Sequence, residues 1–94
     1  MASEITILLV DDNPEFSDTL ADIIGGFGWK THACNSPEDA LAFIENNHRS
    51  LSLMLLDIEF INSQMNGLDV LGQSVKKYPS LPVIMISGKG TIQN

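Results

Sequence analysis

Short apolar runs that alternate with helix-like segments constrain this chain more than any other feature. Residues 5–10 (ITILLV), 51–58 (LSLMLLDI) and 82–86 (PVIMI) are three such runs. Each is too short for a buried helix, and Ile5, Thr6, Ile7 and Val10 are β-branched, so the runs read as strands apolar on both faces. Residues 29–34 alternate loosely and read as an outer strand. Between the strands lie helix signals. Asn13-Pro14-Glu15 is a cap, a first-turn proline and a dipole-complementing acid, followed by Phe16, Leu20, Ile23, Ile24 and Phe27 at helical spacing. Gly25, Gly26 and Gly28 end that helix. Ser36-Pro37-Glu38-Asp39 resembles a capping box ahead of Ala40, Leu41 and Ile44, and residues 46–50 read as a polar loop. Asn66-Gly67 reads as a turn, after which Leu68, Leu71, Val75 and Tyr78 form a third stripe that Pro79 stops. The order β-α-β-α-β-α-β predicts an α/β domain with a parallel sheet between helices, joined by right-handed crossovers.

Composition narrows the function. The chain has 94 residues, enough for one domain with a thin core. Twelve acidic side chains against five basic ones give a net charge of −7, and the five cations are scattered. That balance argues against nucleic-acid binding and makes a divalent cation the better-matched partner. No apolar run approaches the ~18–20 residues that span a bilayer, and the N-terminus lacks a signal-peptide pattern. The expected compartment is the cytoplasm. The lone Cys34 reads as a small core or edge residue, and His32 and His48 are too far apart in sequence to suggest zinc. Phe27, Trp29 and Phe43 read as core.

In open parallel sheets, ligands bind beyond the carboxyl ends of the strands. That rule selects Asp11 and Asp12 after the first strand, Asp57 at the end of the third and Ser87 at the end of the fourth. Carboxylates gathered there stay ionised only if solvated or neutralised by a cation, and magnesium suits such a hard oxygen set. Read singly, Asp11 and Asp12 are equally acids ahead of a helix, and Asp57 a solvated strand-end acid.

Together, ILLVDDNPEF, LMLLDI and PVIMISGKGT resemble the response-regulator receiver family of two-component signal transduction, in register along essentially the whole chain. The resemblance implies a flavodoxin-like (CheY-like) fold with strand order 2-1-3-4. It implies that Asp57 accepts a phosphoryl group from a sensor histidine kinase, with Mg2+ held by Asp12 directly, by Asp11 largely through water, by Asp57 and by the backbone carbonyl of Glu59. Ser87 matches the family's switch hydroxyl. Such a domain catalyses its own modification and is not a turnover enzyme. The SGKGT ending resembles receivers of the nitrogen-regulator class.

Two departures from the family pattern stand out. The segment from Asp57 to Gly67 is two residues longer than usual and has no proline, and Glu59 adds an acid that either tunes dephosphorylation or faces solvent. The family's fifth strand, with its active-site lysine, and the helices flanking it have no counterpart, and Lys89 is not that lysine. Residues 1–94 therefore read as the N-terminal portion of a receiver, with the fourth strand expected to self-associate as an exposed edge. A natural short receiver is the alternative. Two rival functions are a pseudo-receiver that binds partners without phosphorylation and a phosphohydrolase with an aspartyl-phosphate intermediate. The second lacks the usual Asp-x-Asp after the first strand.

Overall fold

The computed structural model describes residues 4–61 and 63–86. The strands are β1 (Thr6–Val10), β2 (Lys30–Cys34), β3 (Leu53–Asp57) and β4 (Val83–Ile86). The helices are α1 (Pro14–Gly25), α2 (Pro37–Asn47) and α3 (Gly67–Lys77), with one 3₁₀ turn at His48–Ser50. All strand pairs are parallel, and the sheet order is β2-β1-β3-β4, as expected.

Alternation along the strands divides the apolar side chains between two faces. Ile7 and Leu9 pack with Ile24 and Leu20 of α1 on one side. Leu8, Val10, Met54 and Leu56 pack with Ala40 and Ile44 of α2 and Val70 of α3 on the other. Burying each large side chain of this kind contributes about 1.5–3 kcal/mol, so the second, larger cluster carries most of the hydrophobic stabilisation. β4 is the outer strand of the described sheet, and Ile84 stays exposed there.

Each helix starts on a side-chain cap. Asn13 Oδ1 accepts from the N–H groups of Glu15 (3.0 Å) and Phe16 (3.3 Å). Ser36 Oγ accepts from Asp39 N–H at 3.0 Å, a single bond, whereas the reciprocal capping box forms at Asn66 and Asp69. Asn66-Gly67 is thus a helix start. α2 also runs two residues into the expected loop, where Asn46 and Asn47 donate to the carbonyls of Ala42 and Phe43.

Two expectations are met only in part, although Leu71 and Tyr78 of the α3 stripe do pack against the larger cluster. In α3 the buried positions are Gly67, Val70 and Ser74, while Leu68 and Val75 are 57% and 56% exposed. The cause is Gly67, which lies against the backbone of β3: a Cβ there would collide with the Asp57 carbonyl oxygen and come within 2.8 Å of Ile58 Cα. That contact fixes the rotation of the helix, and at about 100° per residue it carries Leu68 and Val75 away from the sheet. Phe27 and Trp29 are not core either. Phe27 is 67% exposed and stacks on the exposed Trp29 with centroids 5.2 Å apart, because α1 ends at Gly25 and Gly28 turns the chain with φ +85° before β2 begins. Phe43 does pack against the larger cluster and stacks on His32.

Cys34 closes β2 inside that cluster, and burial, with Asp39 adding to it, pushes its thiol up to about 11 from 9.0. The fold therefore disfavours the thiolate, the reactive form. Iodoacetamide at pH 8 should modify Cys34 about a hundredfold more slowly in the native chain than in urea, followed by intact mass. Ser74 is fully buried and its hydroxyl has no hydrogen-bond partner among the described residues. Ser74→Ala removes that desolvated group and improves helix propensity, so urea unfolding should show a gain of about 1 kcal/mol. Gly67→Ala should lower stability in the same assay by about 1–3 kcal/mol through overpacking against Asp57 and Ile58.

Candidate metal and phosphoacceptor site

The site is assembled by the pairing of β1 with β3. Val10 is in register with Leu56, so Asp11, the residue after β1, emerges beside Asp57, the last residue of β3. Asp11 and Asp57 are buried and Asp12 is half-buried. One carboxylate oxygen from each lies within 4.8 Å of the others, and this is the one cluster of three or more metal-ligating side chains among the described residues. At that separation ionised carboxylates repel one another, and a bound cation would offset that charge.

Local backbone bonds hold these acids in place. Asp11 Oδ1 accepts the N–H of Asn13 at 2.8 Å, which turns the chain from β1 into α1. The backbone of Asp11 is tied to β2 on both sides of its peptide unit: its N–H donates to the Cys34 carbonyl (3.1 Å), and its carbonyl accepts from Asn35 Nδ2 (2.8 Å). Asp12 Oδ2 accepts the backbone N–H of Ile61 at 3.0 Å. Asp11 thus both holds Asn13, the residue that caps α1, and joins the cluster, so its two readings are compatible. An open cleft of about 540 Å³ adjoins Asp12 and is bordered by Asn13, Asn35, Ser36, Phe60, Ile61 and Ser63.

Of the residues selected from sequence, Asp11, Asp12 and Asp57 come together. Glu59 lies two residues beyond Asp57 with its side chain exposed. Ser87, like Lys89, lies outside the described residues. His32 and His48 sit apart from the acids, each against an aromatic ring. Sequence reasoning missed Asn35, although it follows β2 directly and the strand-end rule selects it as firmly as Asp11. It also missed the Ile61 N–H and the close approach of Gly67, which are backbone features without a side-chain signature.

The oxygen set fits magnesium in kind: three carboxylates, two buried and one bordering open space that leaves room for water and a phosphate.

Comparison with known proteins agrees with this geometry. The family model of the response regulator receiver domain matches residues 7–94. The nitrogen assimilation regulatory protein NtrX of Azorhizobium caulinodans is 37% identical over 87 residues, a match covering 93% of this chain and 19% of that protein's length. Among solved structures, a CheY-like receiver domain protein from Methanospirillum hungatei superposes with a TM-score of 0.84 at 29% identity, covering 96% of this chain and 69% of the other. The response regulator TrrA of Thermotoga maritima, solved in complex with Mg2+ and BeF, superposes with a TM-score of 0.80 at 29% identity, covering 92% and 71%. Among the described residues no helix is long and apolar enough to cross a membrane. A parallel sheet of order 2-1-3-4, an acid cluster at its carboxyl end and a family match along nearly the whole sequence lead to one conclusion: the chain belongs to the response regulator receiver domain family.

Proposed function

We propose that this chain is a phosphoacceptor of a two-component system, taking a phosphoryl group from a sensor histidine kinase onto Asp57. The observation that carries the reading is the convergence of Asp11, Asp12 and Asp57 within 4.8 Å at the carboxyl ends of adjacent strands. Asp11, Asp12, Asp57 and the backbone carbonyl of Glu59 would hold Mg2+, and similarity to TrrA, solved in complex with Mg2+ and BeF, supports a magnesium site in this domain. Magnesium held there would offset the negative charge of the carboxylates and of the incoming phosphoryl oxygens.

The remaining chemistry belongs to the chain. A carboxylate oxygen of Asp57 attacks phosphorus, the P–N bond of the donor phosphohistidine breaks, and its electron pair returns to the imidazole nitrogen, which takes up a proton. Burial of Asp57 at the strand end fixes the direction of approach and limits access of water to the acyl phosphate that forms. Asp11 accepts from Asn13 and Asp12 accepts from Ile61, bonds that hold both acids in place, with Asp12 bordering the cleft. Ser87 is the hydroxyl that would hydrogen-bond the new phosphoryl oxygens. The reaction modifies the chain once per phosphoryl donated, so the protein acts as a cytoplasmic switch and not as a turnover enzyme. The chain spans 19% of the length of its NtrX relative, and the output it would control belongs to the same proposal.

Incubation with acetyl phosphate should add one phosphoryl group by intact mass. The gain should require magnesium and vanish in Asp57→Asn. No gain in the unaltered chain at saturating magnesium would favour a pseudo-receiver, an interaction module that works without phosphorylation.

A further inference from the structure

The loop between β3 and α3, residues 58–66, contains no proline, so every residue in it keeps a backbone N–H. It is anchored at four points. Phe60 is buried in the larger core cluster. Ile61 leaves its side chain 73% exposed and donates its backbone N–H to Asp12 Oδ2 at 3.0 Å. Ser63 Oγ donates to Glu38 Oε1 in the first turn of α2, at 3.1 Å. Gly67 N–H donates to the Ile58 carbonyl at 2.7 Å and closes the loop on itself.

Asp12 is the member of the cluster that most needs such support. Asp11 and Asp57 are packed into the strand ends, whereas Asp12 is half-buried and borders the open cleft. A carboxylate in that setting loses rotamer freedom when it binds a cation, unless something has already fixed it. One charge-assisted N–H bond to Oδ2 fixes the side chain and leaves further lone pairs on both oxygens for a cation. The donor is held in turn by Phe60 on one side and by the Ser63–Glu38 contact on the other.

We propose that the Ile61 backbone N–H is a positioning group for Asp12, and that the 58–66 loop is a strap whose anchoring sets the affinity of the acid cluster for magnesium. The proposal rests on the reading of that cluster as the magnesium site. Phe60 lies in the core, Ile61 meets Asp12 and Ser63 contacts α2, ahead of Gly67 at the start of α3.

The test is calorimetric titration of the full chain with magnesium alone, without a phosphodonor. Ile61→Ala removes the exposed side chain and keeps the N–H, so it should bind within about twofold of the unaltered chain. Ile61→Pro removes the N–H and should bind about tenfold more weakly or worse, the usual effect of losing a partner that orients a ligand. Equal binding by all three overturns the strap alone. Binding by none, including the unaltered chain, overturns the magnesium reading and the strap with it. A second measurement does not depend on how proline is tolerated. In the metal-free unaltered chain the Ile61 amide should exchange slowly with solvent, and Asp12→Ala should speed that exchange at least tenfold. Equal exchange rates in the two chains overturn the proposal.

Discussion

β1 lies inside the sheet, paired with β2 on one edge and β3 on the other, and the acid site depends on that position. Its pairing with β3 brings Asp11 level with Asp57, and its pairing with β2 places Asn35 and the Cys34 carbonyl against the Asp11 backbone. A parallel sheet ends all its strands on the same side, so residues separated by more than forty positions in sequence emerge together there. The apolar stretch from Ile7 to Val10, buried almost completely, is what locks this register. A one-residue slip would exchange the two faces and point Leu8 and Val10 at α1.

The cluster of carboxylates opposes folding, since close like charges repel and buried ones lose hydration. The chain answers with directed N–H groups: Asn13 to Asp11 and Ile61 to Asp12. Both donors are backbone amides, and both sit at points where the chain leaves regular structure. Function and helix initiation therefore share atoms. Asn13 caps α1 while its N–H holds Asp11, and Gly67 opens α3 while lying on the Asp57 carbonyl. A site built this way couples local stability to site geometry, because the groups that hold the acids also start the helices.

The places where the sequence misleads share one cause. Leu68 and Val75 have the spacing of a buried stripe, yet the phase of α3 is set by backbone contact at Gly67, which no hydrophobic pattern records. Phe27 and Trp29 are apolar enough for a core, but they fall in the turn after α1 and satisfy each other by stacking. The capping box expected at Ser36 forms in full at Asn66, where the residue pair reads locally as a turn. Propensity specifies which segments are helix or strand. It does not specify which side of a helix meets a sheet that other parts of the chain have built.

Alternation of short apolar runs with capped helical segments was enough to determine an α/β parallel sheet, because strand length, β-branching and cap chemistry are local properties. The position of Asp11, Asp12 and Asp57 at strand ends was legible for the same reason, and the two motifs they belong to, together with PVIMISGKGT, carried the family. The tertiary structure alone decided that Asn35 supports the acidic pair, that Ile61 reaches Asp12 across the loop, and that Gly67 sets the face of α3. These are contacts between backbone atoms and distant residues, fixed by register and close packing, and they leave no periodicity in the sequence.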